Sequence, residues 1–177
     1  QDMVLGIYYI TQERPGSAGE GKYFRSLNEA ILAKENGYLT LQSRITIRRY
    51  GKDAEGNPIH ANVNSTLGRF MFNEVIPQDL GYVDREIPGN ELLLEIDFMV
   101  AKKQLKQILE KIINNHGATK TAEVLDDIKA MGYKYSTLAA MTVSISDMTV
   151  PSEKPQMIED AQNTVDRITR NYKRGLI

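Results

Sequence analysis

The side chains able to do chemistry here are few and scattered. The chain holds two histidines, His60 and His116, and no cysteine. Neither histidine has a ligating neighbour at helical spacing, so a surface or hydrogen-bonded role suits each better than a metal site. Asp126-Asp127 is an adjacent acidic pair. Neighbours on a helix point about 100° apart and do not readily share one ion, so a helix-surface role is the better reading, with Asp126 facing a channel as the alternative. Gly19-Glu20-Gly21 lacks the third glycine and the preceding strand of a dinucleotide fingerprint, and reads as a turn. Arg44, Arg48 and Arg49 put basic groups along and beyond a strand's polar face, fit for phosphates, for solvent or for a subunit contact. Nothing in this inventory makes an active site. The expected catalytic residues and metal ligands are none.

Bulk composition sets the class. The 177 residues are 41% hydrophobic and 25% charged with a formal charge of −1, ordinary for one globular domain with an appendage. No global basic field advertises nucleic acid or membrane, so any nucleic-acid contact is local or made by other chains. No apolar run approaches the ~20 residues of a spanning helix. The absence of cysteine fits a reducing cytoplasm. The opening Gln1-Asp2-Met3-Val4-Leu5 has no basic region, signal-peptide core or initiating Met, which points to a chain cut from something longer.

The elements expected are α+β: a small antiparallel sheet around residues 39–63 packed with several helices, plus a protruding C-terminal helix. Residues 3–12 are apolar and compact, and a turn-rich loop follows over 15–21. Ser26-Leu27-Asn28-Glu29 reads as a capping box opening a short helix, with Gly37 at its left-handed end. Leu39, Leu41, Ile45 and Ile47 alternate with polar residues, which predicts a strand. A polar loop over 51–58 and renewed alternation at Ile59, Ala61 and Val63 complete a hairpin. Helical spacing returns over 66–76, Pro77 stops it, and Leu92 to Ile96 suggests a short strand. Two helices are predicted near 99–115 and 120–131, the second ending at Gly132.

Ile158, Ala161, Val165, Ile168 and Tyr172 recur at intervals of three and four. That two-position seam is narrower than a globular-core face and predicts a coiled-coil partner. A Gly at 175 suits a turn into a returning helix, so the pattern reads as one arm of a helical hairpin. A terminal helix docked on its own domain remains the alternative. Left bare, the seam favours dimerisation of the isolated chain.

Ordered blocks then carry a resemblance. Gln1-Asp2-Met3-Val4-Leu5-Gly6-Ile7-Tyr8-Tyr9, Gly19-Glu20-Gly21, Asn28-Glu29-Ala30 with Asn36-Gly37, Ser65-Thr66-Leu67-Gly68-Arg69 with Phe72-Asn73-Glu74 and Pro77, Gly132 to Thr137, Ser144 to Met148, and Arg174-Gly175-Leu176-Ile177 follow one another. In that order they resemble the largest, beta-prime, subunit of bacterial DNA-dependent RNA polymerases, in a Gram-positive, clostridial flavour. The resemblance covers essentially the whole chain. It implies that residues 1–148 are the pore domain, lining the secondary channel through which nucleoside triphosphates enter. Residues 149–177 would begin the funnel domain, with the first, truncated rim helix.

The resemblance further implies a piece of a nucleotidyltransferase that is inactive alone, with no cofactor in this fragment and Mg in the parent enzyme. Its Asn-Ala-Asp-Phe-Asp-Gly-Asp metal loop would lie upstream of Gln1. Gln1 and Asp2 would border the active centre, while Arg69, Asp126 and Lys134 are candidates for channel-wall or rim contacts, with a salt bridge inside the module the favoured alternative for each. Implied partners are the other polymerase subunits, transcript-cleavage and regulatory factors at the rim, and DNA and RNA, with no membrane. Leu138 and Ala140 depart from the family pattern, which has a polar or basic residue and Gly there, and Ala140 makes a left-handed backbone less favourable. A free-standing module that binds a partner protein through its C-terminal helix is the competing reading, and a small nucleotide-binding enzyme is a second.

Overall fold

The computed structural model describes residues 1–53 and 55–176. It divides into two compact units, Gln1–Ala140 and Met141–Ile177.

In the first unit, α1 (Asp2–Thr11) is the central helix. Ile7 and Ile10 are wholly buried within it. Its neighbours approach through glycine. A Cβ on Gly6 would overlap the Gly132 carbonyl oxygen, and one on Gly68 would overlap the Ile10 carbonyl oxygen. Backbones in such contact leave no room for a methyl group.

Next, β1 (Tyr23–Phe24) leads to α2 (Leu27–Glu35). The Ser26 hydroxyl accepts from the Glu29 N–H at 3.2 Å, as the capping box requires. The Glu29 carboxylate takes the Arg25 N–H at 2.6 Å, one residue earlier than the standard box. Gly37 has φ +77, with Gly37 N–H donating to Lys34 and Tyr38 N–H to Ala33, a Schellman ending.

The sheet joins β1 to β2 (Arg44–Lys52) in parallel and β2 to β3 (Pro58–Thr66) antiparallel. It is therefore mixed rather than antiparallel, because the short strand before α2 adds to the free edge of the hairpin. The expected strand also starts later. Leu39 and Leu41 are buried, but in a turn: the Ser43 hydroxyl accepts from the Thr40 N–H at 3.2 Å and donates to the Ala18 carbonyl at 2.6 Å. That hydroxyl gives the backbone a local alternative to a ladder. From Arg44 on, the alternation holds, with Ile45, Ile47 and Val63 turned inward. Part of the hairpin loop, Ala54, lies outside the described residues.

Thr66 caps α3 (Leu67–Val75). The expected strand over 92–96 is irregular instead, although Leu92, Leu94 and Ile96 are buried. Side chains do the work of a neighbouring strand. Asn73 accepts from the Ile96 N–H at 3.0 Å and donates to its carbonyl at 2.8 Å, Gln78 accepts from the Glu95 N–H, and Arg49 donates to the Leu92 carbonyl.

The two predicted helices appear as α4 (Lys102–Ala139), broken at Gly117, whose φ of 75 and ψ of −178 suit only glycine. Leu105, Ile108 and Ile112 face the core before the break, and Val124 and Ile128 after it. The second half does not end at Gly132 but runs on to Ala139. Gly132 is there for the close crossing with α1, a role that looks identical to a helix stop in sequence. Ala140 ends the helix in a left-handed conformation, φ 47 and ψ 42, and is the one non-glycine with positive φ among the described residues.

In the second unit, Ser144 and Asp147 form a reciprocal capping box around a short 3₁₀ turn, Ile145–Asp147. α5 (Lys154–Lys173) follows, with Pro155 in its first turn, where the missing N–H has no intrahelical acceptor. No residue of α5 is buried. Among the described residues, no helix is long and apolar enough to cross a membrane.

Candidate functional site

Arg69, in the first turn of α3, is a buried hub of polar contacts. Thr66 Oγ1 accepts from the Arg69 N–H at 3.3 Å, which fixes the start of the helix and so the direction of the side chain. Its Nε donates to the Thr11 carbonyl at the end of α1 at 3.0 Å. Its NH1 meets Glu13 and Asp97, both at 3.2 Å. Arg44 completes a four-membered network, 2.9 Å from Glu13 and 3.5 Å from Asp97, and Ser65 donates to Asp97 at 2.5 Å. The Arg69 side chain is 7% exposed. This candidate channel residue thus has its guanidinium engaged by the end of α1, the loop that follows it and the segment before α4. Glu13 and Asp97 were not singled out from sequence, because each is an isolated loop acid whose partners lie elsewhere in the chain.

Gln1 and Asp2 sit at the other end of α1, roughly 14 Å along the axis from Arg69's contact at Thr11. Together with Val4, Leu5, Tyr8, Ala101 and Lys102 they line an open hollow of about 530 Å³. Asp2 and Lys102 bring opposite charges to this otherwise largely apolar depression.

Asp126 and Lys134 lie on the solvent-facing side of α4, two turns and about 12 Å apart. Asp126 pairs with Lys129 at 2.5 Å, and its hydrogen bond and charge hold the Lys129 ammonium above the usual lysine range. Lys134 lies 5.5 Å from the Tyr135 ring. The five candidates are therefore not one constellation. They fall into a hollow, a buried network and an exposed helix face.

The remaining basic and imidazole groups also separate. Arg49 turns toward the 92–96 segment, and burial pushes its guanidinium below the usual range. Arg48 faces the opposite side, near the Tyr50 ring. His116 is not without a partner, since it meets Asp79 at 2.7 Å, while His60 is exposed beside Tyr50. Among the described residues there is no group of three or more His, Cys, Asp or Glu placed to hold a metal ion.

In the second unit, the predicted seam runs along one side of α5. Ile158, Val165, Ile168 and Tyr172 are 49–71% exposed, and Ala161 is also exposed. Met157 extends the same surface toward Pro151 and Lys154 around a shallow hollow. Sequence spacing missed Met157 because it flanks the seam rather than lying on it.

Comparison with known proteins gives a consistent result. The family described as RNA polymerase Rpb1, domain 3, matches residues 1–148. A DNA-directed RNA polymerase subunit beta' from Lachnoclostridium phytofermentans is 62% identical over 177 residues, all of this chain and 14% of that protein. The subunit from Clostridium acetobutylicum is 48% identical and that from Acetivibrio thermocellus 49%, each over the whole chain and 15% of the relative. The chain thus spans about a seventh of the length of these relatives.

Proposed function

The chain belongs to the family of RNA polymerase Rpb1, domain 3, and from that premise we propose that it works as a structural part of a bacterial beta-prime subunit in DNA-directed transcription. The observation that carries the reading is 62% identity over all 177 residues to 14% of that subunit. In this reading the working enzyme is a cytoplasmic nucleotidyltransferase. Its partners are the other subunits, DNA, RNA and nucleoside triphosphates.

Residues 1–148 form the pore domain and shape the secondary channel by which nucleotides enter. Residues 149–177 begin the funnel domain, and α5 is a rim helix whose seam takes a returning helix and supports the docking of transcript-cleavage and regulatory factors. The rigidity of the first unit, with glycine-to-glycine helix crossings and a buried arginine network, suits a wall better than a catalytic centre. Gln1 and Asp2 sit on the hollow nearest the active centre in this arrangement. Asp126 and Lys134 offer exposed charges for channel-wall or rim contacts. Magnesium supplies the Lewis acid in such enzymes. The residues described here do not fit that ion, and no chemical step is assigned to them.

The exposed seam of α5 also favours a second reading, an independent module that binds a helical partner. Reassembling the whole polymerase with Ile168→Asp in the beta-prime subunit separates the two. Weakened binding of a rim factor, with the subunit still assembling, is the expected result. Unchanged factor binding and unchanged helical stability would overturn the rim assignment.

A further inference from the structure

The outer face of the sheet has a composition unlike the rest of the surface. β2 and β3 together hold four cationic side chains, Arg44, Arg48, Arg49 and Lys52, and no acidic residue. Arg44, at the start of the same face, is paired with Glu13 and Asp97, and Arg49 turns inward to the Leu92 carbonyl. Arg48 and Lys52 make no ion pair among the described residues. They alternate along β2 with Tyr50 between them, all on the side away from Ile45 and Ile47.

Tyr50 is 68% exposed. The Arg48 guanidinium carbon lies 5.5 Å from its centroid, and His60, its register partner on β3, lies 6.2 Å away at a 42° tilt. Asn62, opposite Arg48, adds an exposed amide. A second exposed ring, Tyr23, stands beside Thr46 on the same face, about 13 Å along β2 from Tyr50.

From this juxtaposition we propose that the outer face of β1, β2 and β3 binds single-stranded nucleic acid, with bases stacking on Tyr50 and Tyr23 and phosphates meeting Arg48 and Lys52. Exposed rings flanked by unpaired cations on an open sheet are how sequence-tolerant single-strand binding is built, because every base has a π-face. An acidic protein would satisfy the cations and leave both rings idle. A duplex would offer phosphates but no free base to stack. The proposal stands on this sheet and is independent of the role given to α5.

The test is fluorescence anisotropy of a short labelled oligothymidylate titrated with the 177-residue chain. Binding is expected, with a log–log salt slope of about −1.4 for two phosphate contacts on a single strand. Tyr50→Ala should weaken binding roughly tenfold while Tyr50→Phe, which keeps the ring, should not. Arg48→Gln should reduce the salt slope by about 0.7. Amide NMR shifts on the unaltered chain should concentrate on β2 and β3, a readout that does not depend on any variant folding. Absent binding, Tyr50→Ala binding as well as the original chain, shifts mapped elsewhere, or equal affinity for duplex DNA or polyglutamate would each overturn the proposal.

Discussion

Gly6 on α1 and Gly132 on α4 meet backbone to backbone. A Cβ on Gly6 would overlap the Gly132 carbonyl oxygen, and one on Gly132 would lie 2.6 Å from the Met3 carbonyl oxygen. Neither glycine has a positive φ, so conformational freedom is not the reason for either. Space is. The crossing sets how closely the central helix packs against the second half of α4, and therefore where Asp126 and Lys134 stand relative to the Gln1–Asp2 end.

Adding one methyl group at this crossing should thus loosen the first unit despite alanine's better helix propensity. The propensity gain is about 1 kcal/mol, whereas overpacking costs about 1–3 kcal/mol. Urea denaturation should show Gly132→Ala less stable than the original. Gly6→Ala should be worse still, because its Cβ would also lie 2.9 Å from the Ser136 nitrogen. Equal or higher stability of both variants would contradict the steric account.

Replacing Arg69 by Met should destabilise the chain by about 2–4 kcal/mol. Breaking a buried pair from one side costs about 3–5 kcal/mol, reduced here because Glu13 and Asp97 keep 31% and 39% exposure. Part of the loss should return in the double variant Arg69→Met with Asp97→Asn, since the stranded carboxylate is removed. A double-mutant cycle by chemical denaturation measures this. Simple additivity would mean that the two groups do not interact.

Alkaline pH offers a third check. Burial is the main cause that pushes the Tyr135 phenol above the usual range, and burial followed by the Glu95 charge does the same for Tyr82. A raised folded-state value means that the unfolded chain releases these protons first. Their contribution is therefore whole below about pH 10 and is lost as pH climbs through the folded values. Stability should fall above about pH 10, and Tyr135→Phe should flatten that fall. Absorbance titration should show some tyrosines ionising late. Ionisation of all of them together would refute the assignment.

How much of this was legible beforehand depends on the range of the interaction. Ser26 and Gly37 announce α2 because caps are local, and the three-four spacing of Ile158, Ala161, Val165 and Ile168 announces the bare side of α5. Tertiary substitutes for secondary structure were hidden. Leu39 and Leu41 mimic strand alternation inside a turn held by Ser43, and residues 92–96 look like a strand whose neighbour turns out to be Asn73, Gln78 and Arg49. The network of Arg69, Glu13, Asp97 and Arg44 draws on four separated places, and no spacing rule reports it. Gly132 shows the remaining ambiguity: a glycine near the end of an apolar stripe marks either a stop or a crossing, and only the partner helix decides.

Ala140 gives the sharpest test of local against global preference. The family resemblance placed a glycine at this position, and the alanine here keeps a left-handed backbone all the same, with its N–H donating to the Thr137 carbonyl at 3.2 Å. That conformation costs an L-residue about 1–2 kcal/mol, against roughly 0.5–1 kcal/mol of extra backbone entropy that glycine loses on folding. Ala140→Gly should therefore stabilise the chain by about 0.5–1 kcal/mol in urea denaturation. A β-branched Ala140→Val, whose bulk suits the left-handed region worse, should destabilise it. Were Ala140→Gly to lower stability instead, the end of α4 would have to be satisfied in solution by a right-handed continuation, with alanine favoured there for its helix propensity.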